Sequence, residues 1–163
     1  MRSITMYKKT ASMQIGFIPG SVAVDATGKK NYNDAVVMIS FCKSKGERSY
    51  DCENTKTIAL PYWDVMKLHR AILKGFTDKN SSGASDIIFV HKYKDKTTTF
   101  VVGPGNEGTF KWSITQKKAT APGAEVPKDS SDTIPIYCDA NELHGLRSYL
   151  EICYPLMLED IKE

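Results

Sequence analysis

Four short runs in this chain set an aromatic ring among cations: Tyr7-Lys8-Lys9, then Lys43, Lys45 and Arg48 around Tyr50, then Lys92-Tyr93-Lys94, then Lys111-Trp112. Cations track phosphates, and an aromatic face stacked on an unpaired base contributes about 1–3 kcal/mol. These residue types point to sequence-tolerant gripping of a single strand, not to a reaction. Ser12 and Gln14, two apart on one strand face beside the first run, add neutral groups able to bond phosphate or base edges. Tyr93 is the better stacking residue, because Lys92 and Lys94 mark its strand end as solvated. Trp112 stands between platform and core, in phase with Phe110 and Ile114 yet flanked by Lys111 and Ser113. Phe41, Phe89, Phe100 and Phe110 alternate with aliphatic neighbours and are assigned to the core. Trp63, near a helix start, is expected to pack.

Other chemistries find no constellation. There is no G-x-S-x-G, P-loop or H-E-x-x-H sequence, so no enzyme is expected. Residues Gly103 to Gly108 match G-x-G-x-x-G, but the segment after them alternates as a strand. Without a helix N-terminus to hold a pyrophosphate, a hairpin turn is the reading. His69, His91 and His144 fall on separate elements, and Cys42, Cys52, Cys138 and Cys153 lack C-x-x-C spacing. Neither a metal nor a cofactor is expected, and free thiols in a reducing compartment fit best. No run approaches the roughly 18 apolar residues of a membrane span, and no signal h-region precedes the first strand. Asn80-Ser81-Ser82 is a glycosylation sequon, of little meaning without secretion.

The 163 residues are 41% hydrophobic and 25% charged, enough for one domain with a real core. The net charge of +3 is unevenly spread. Residues 1–60 hold 9 Lys and Arg against 5 Asp and Glu, 61–138 hold 11 against 8, and 139–163 hold 2 against 6. A cationic sheet surface and an anionic back follow.

Positioning falls to two similar successions of elements. Strands are expected at about 4–9, 12–18, 35–43 and 49–60, followed by a helix from Pro61 to about Lys74 carrying Val65, Leu68 and Ile72 on one face. Ala35, Val37, Ile39 and Phe41 alternate with Val36, Met38, Ser40 and Cys42, so that strand should be central. The second strand should keep Ser12, Gln14 and Gly16 wet. After a loop over 77–85, four more strands are expected at about 86–94, 97–102, 109–116 and 133–138. Residues 117–131, rich in Ala, Pro, Gly and Ser, should be mobile. A last helix starts at an Asp139/Glu142 capping box and buries Leu143, Leu146, Leu150, Cys153 and Met157. The order is ββββα-ββββα, an α+β pattern.

Three blocks resemble the Whirly single-stranded-DNA-binding family and, more distantly, the Whirly-like mitochondrial RNA-binding proteins. Tyr7-Lys8-Lys9-Thr10-Ala11-Ser12-Met13 is similar to the family's Y-K-G-K-A-A-L. Gly46-Glu47-Arg48-Ser49-Tyr50-Asp51, with Ala59-Leu60 and Asp64-Val65 after it, is similar to G-x-R-x-Y-D-W, A-L and E-V. Glu142-Leu143-His144-Gly145-Leu146-Arg147 and Pro155 fall at the spacing of E-F-x-x-L-R and its following Pro. Departures are Cys52 for the motif Trp, Thr10 for the second motif Lys, and Leu158-Glu159 for a terminal G-W. The second half carries no such match.

The resemblance implies two four-stranded antiparallel β-sheets packed across each other, each followed by an α-helix. It also implies a homo-oligomer, a tetramer joined through a helical core, binding single-stranded DNA in replication, recombination or repair. The apolar helix faces fit a monomeric core equally well. The expected nucleic-acid-binding surface, read from residue types together with the resemblance in the first half, comprises Tyr7, Lys8, Lys9, Thr10, Ser12, Gln14, Lys43, Lys45, Arg48, Tyr50, Lys92, Tyr93, Lys94, Lys111 and Trp112. One domain over 1–163 is expected, with halves 1–76 and 86–158 and an acidic tail 159–163 that contacts other proteins. RNA annealing on the same fold and a protein-interaction module remain as alternatives. A cytoplasmic protein of a bacterium or phage-infected cell is expected, or an organellar one if a transit peptide has been removed.

Overall fold

Period-two burial builds both sheets. The computed structural model describes residues 3–47, 49–77, 86–106, 108–118 and 132–159. The first half contains β1 (Ser3–Tyr7), β2 (Ala11–Ile18), β3 (Ser21–Val24), β4 (Lys30–Asn33), β5 (Val36–Gly46), β6 (Ser49–Tyr50), β7 (Lys56–Leu60) and α1 (Tyr62–Thr77). The second contains β8 (Ile87–Tyr93), β9 (Lys96–Pro104), β10 (Phe110–Lys118), β11 (Thr133–Cys138) and α2 (Ala140–Glu159). All pairings are antiparallel.

The second sheet has four strands in the order β11-β10-β9-β8. The first has five, because the strand expected over 49–60 is broken into β6 and β7. Asp51 makes the break: its carboxylate accepts from Asn54 N and Nδ2 at 3.3 and 2.8 Å, while Cys52 N bonds Tyr50 O at 3.1 Å. These local bonds compete with the ladder and turn the chain. Both pieces pair with β5, β7 against Val37–Phe41 and β6 against Ser44 and Gly46. The sheet is therefore four columns wide, with long β5 in the interior as its two apolar faces require.

A further hairpin, β3–β4, occupies the stretch expected to be a connection. Asp25 Oδ1 accepts from Thr27 N, Thr27 Oγ1 and Lys29 N at 2.9, 2.6 and 3.0 Å, and Gly28 takes φ 83°, where a Cβ would be strained. Val22 and Val24 are exposed, so no core contact signalled these strands. Helix α1 runs past Gly75 to Thr77 instead of stopping there.

The inner faces of the sheets meet in one hydrophobic core. Phe100 of β9 touches Phe41 of the first sheet, Phe89 and Trp112 at ring separations of 6.0, 5.6 and 5.7 Å. Each such side chain stabilises by about 1.5–3 kcal/mol when fully buried. The helices add Val65, Leu68 and Ile72, and Leu143, Leu146, Leu150, Cys153 and Met157. Helix α2 begins with the expected capping box, Asp139 N to Glu142 Oε2 and Glu142 N to Asp139 Oδ1, both 2.9 Å. It continues through Pro155. Polar clasps cross between the sheets, among them Lys56 Nζ to the Asp132 carboxylate at 2.5 Å and Gln116 Nε2 to Thr57 O at 3.4 Å.

Among the described residues, no helix is long and apolar enough to cross a membrane. Residues 78–85 of the loop expected over 77–85, the sequon there, residues 119–131 of the expected mobile stretch, Arg48 and residues 160–163 of the expected tail 159–163 lie outside the described residues.

Candidate nucleic-acid interface

The outward face of the first sheet is built from short polar side chains. Register places Thr5 opposite Gln14 and Tyr7 opposite Ser12, then Gln14 opposite Ser40 and Ser12 opposite Cys42. Neighbours in a row share a face. The result is a groove of about 790 Å³ lined by Thr5, Tyr7, Ser12, Gln14, Ser40, Cys42, Tyr50, Cys52 and Thr55, with no charged side chain among them. Hydroxyls, two thiols and one amide form its floor, and two tyrosines stand on one side.

Those rings form a pair. Tyr7 is 67% exposed, and its centroid lies 5.4 Å from that of Tyr50 at an interplanar angle of 44°. Tyr50 OH donates to Lys8 O at 3.0 Å, which fixes the half-buried ring while leaving Tyr7 open. A base could stack on Tyr7 with little rearrangement.

The face of β2 is drier than its alternation suggested. Gln14 is exposed, but Ser12 is only 7% exposed and Gly16 is buried, because β1 and β5 flank them. Ser12 still lines the groove floor.

Cations occupy the rims unequally. Lys8 is bonded to Glu142 of the α2 cap, Lys45 to Asp51 at 3.2 Å, and Lys43 to Asp132 at 3.4 Å. Hence the separation of cationic sheets from an acidic back is incomplete: Lys8 ties the β1–β2 turn to α2. Exposed Lys9, Lys92 and Lys111 form no ion pair among the described residues, and Thr10 is exposed beside Lys9. Lys94 stands over the ring of Tyr93, 5.2 Å from its centroid, at a turn where Lys94 takes φ 52°. Tyr93 is 72% exposed.

A second cleft of about 440 Å³ opens where the sheets approach, lined by Lys43, Lys56, Lys96 and Lys117 with Asp51, Glu53 and Asp132 among its other walls. Thr55 lines both cavities, so the polar groove continues over the Asp51–Thr55 turn into a charged one. Lys56 and Lys43 hold the Asp132 carboxyl below its usual range, the Lys56 bond foremost.

Trp112 leaves the candidate surface. It is fully buried between Phe100 and the inner strands, and its Nε1 has no partner among the described residues. The phase with Phe110 and Ile114 outweighs the flanking Lys111 and Ser113. Trp63 reverses the other way: expected to pack, it is 78% exposed and touches Tyr62 edge-on at 5.1 Å. Sequence reading also missed Tyr137, which register sets opposite Lys111 on the open face of the second sheet. Its parity with Lys111 is visible only once β10 and β11 are aligned. The hairpin reading of 103–108 agrees with Gly105 N to Thr109 O at 2.8 Å and strands on both sides.

No family model matches the sequence, and no curated protein does. Solved structures do match in fold. WHY3 from Arabidopsis thaliana superposes with a TM-score of 0.70 at 14% identity, covering 97% of this chain and 89% of its own. WHY1 from Arabidopsis thaliana gives 0.69 at 14% identity, over 96% and 84%. The plant transcriptional regulator PBF-2 gives 0.68 at 16% identity, over 97% and 82%. The fold is therefore Whirly-like over nearly the whole chain.

Proposed function

We propose that this protein is a non-catalytic, sequence-tolerant single-stranded-DNA-binding protein that protects or organises exposed strands in replication, recombination or repair. The observation that carries this reading is the polar groove, uncharged among the described residues, with the Tyr7–Tyr50 pair beside it, on a Whirly-like fold. Neutral donors bond bases or phosphates in any order, Tyr7 accepts any base, and Lys9 supplies charge at the turn. Lys92, Tyr93 and Lys94 extend the same chemistry to the β8–β9 turn. Exposed Ile152, Leu156 and Leu158 on α2 support self-association as a homo-oligomer, with a tetramer the expected form. Four free cysteines fit an intracellular, reducing setting.

Fluorescence anisotropy with labelled oligo-dT and a matched duplex, each at two salt concentrations, tests the reading. The single strand should bind more tightly, with affinity falling steeply as salt rises. Equal affinity for duplex and single strand would overturn it. A matched ribo-oligomer that binds more tightly than oligo-dT would move the ligand to RNA.

A further inference from the structure

Two thiols share the floor of the groove. Cys42 lies on β5, and Cys52 follows β6 at the start of the Asp51–Asn54 turn. Ser44 pairs with Tyr50, and Asp51 N bonds Lys43 O at 2.8 Å, so the two segments are held together one residue short of both cysteines. Thr55 Oγ1 links them: it contacts Cys42 Sγ at 3.3 Å and donates to Cys52 O at 2.8 Å. Both side chains line the same groove, and the neighbouring Cys42 is the main influence raising the Cys52 thiol above its usual range. Cys52 is exposed and Cys42 half-buried, whereas Cys138 and Cys153 are buried, with Cys138 pushed up to about 12 by burial.

We infer that Cys42 and Cys52 form a reversible dithiol–disulfide pair whose closure weakens the groove's hold on a single strand. The consequence for binding rests on the function proposed above; the bond itself does not. The oxidant is a low-molecular-weight disulfide such as glutathione disulfide. The exposed Cys52 thiolate attacks one of its sulfurs, forming a mixed disulfide and expelling one glutathione thiolate. Cys42 then attacks the Cys52 sulfur and expels the second. The protein loses two electrons and two protons, and the glutathione disulfide becomes two thiols.

A disulfide asks for Cβ atoms about 3.5–4.5 Å apart, and the Asp51–Lys43 backbone bond holds the flanking residues side by side. Closure draws the turn over the floor between Cys42 and Thr55, breaks the Cys42–Thr55 contact, and restrains Tyr50 two residues away. A base stacked beside Tyr7 loses its seat there. The expected loss is about tenfold in affinity, as for one stacked base.

The experiment equilibrates the full chain with reduced and oxidised glutathione in several ratios, traps free thiols, and maps peptides by mass. A peptide pair joined through Cys42 and Cys52, lighter by two hydrogens and restored by dithiothreitol, is expected. Cys42→Ser and Cys52→Ser should each abolish the link. Glutathione remaining on Cys52, or links only between separate chains, would overturn the pairing. A linked protein with the affinity of the reduced one would overturn the gating. Failure of the reduced protein to bind any oligomer would instead overturn the proposed function, with the peptide map still deciding the bond.

Discussion

The Lys56–Asp132 clasp should respond very differently to the loss of either partner. Lys56 has a side chain only 7% exposed, while that of Asp132 is 57% exposed. Replacing Asp132 by Asn leaves a buried ammonium whose best partner is neutral. A hydrogen bond to a charged group is worth about 1.5–3 kcal/mol, and the open side of Asp132 and the carbonyl that Lys56 also contacts reduce this to about 1–2 kcal/mol. Replacing Lys56 by Met leaves a carboxylate that water can solvate, so the cost should stay within about 1 kcal/mol. Thermal unfolding should show a fall of about 2–8 °C for D132N and less for K56M. The acid limb gives an independent sign. Asp132 titrates below its unfolded value, so its contribution is complete above the ordinary carboxylate range and is lost as pH falls through the folded value. D132N should therefore flatten the stability profile below about pH 4. The same substitution releases Lys43, held at 3.4 Å, so oligo-dT binding should tighten and its log–log salt slope steepen by about 0.7 for one added phosphate. K56M costing as much as D132N would refute the burial argument, and an unchanged slope would refute the role given to Lys43.

Stability and binding should separate at the aromatics. Trp112→Phe should lower stability by about 1–3 kcal/mol in urea titrations without changing oligonucleotide affinity, because the ring sits only in the core. Tyr7→Ala should do the reverse, with stability within about 1 kcal/mol and a loss of about 1–3 kcal/mol in anisotropy. Lys94→Gly should raise stability by up to about 1 kcal/mol, since Lys94 occupies a left-handed conformation, while weakening binding through loss of a cation. Ile152→Asp with Leu156→Asp should lower the mass seen by light scattering while circular dichroism stays unchanged, because both side chains are exposed in the single chain.

Much of the fold was legible where burial is periodic. Strand β11 falls on its expected residues 133–138, and β5 sits inside its sheet as Val37, Ile39 and Phe41 on one face and Val36 and Met38 on the other require. The capping box fixed the start of α2 because its two reciprocal bonds involve residues three apart. The misses are local bonds outbidding a pattern. Asp51 and Asn54 close a turn inside what reads as one extended segment, and β3–β4 pair through backbone bonds with exposed valines, leaving no buried stripe to find.

The site was legible in its residue types but not in their engagement. A lysine in a sequence is a free charge, whereas a lysine in a fold has neighbours. Lys8, Lys43 and Lys45 all face carboxylates that lie 134, 89 and 6 positions away in the chain, so only the last could have been suspected. The tyrosines kept their exposure because each stands at a strand end: Tyr7 closes β1 and Tyr93 closes β8, beyond the reach of the opposing sheet. Trp112, two residues into β10 and flanked by β9 and β11, is covered from the inner side whatever its neighbours in sequence. Position along the strand, more than local composition, thus decides which ring is open to a base. By that rule Tyr137, next to last in β11 and opposite Lys111, is the aromatic on the second sheet whose replacement by Ala should cost affinity if strands also cross that face. An unchanged anisotropy titration for that variant would confine the path to the first sheet and the β8–β9 turn.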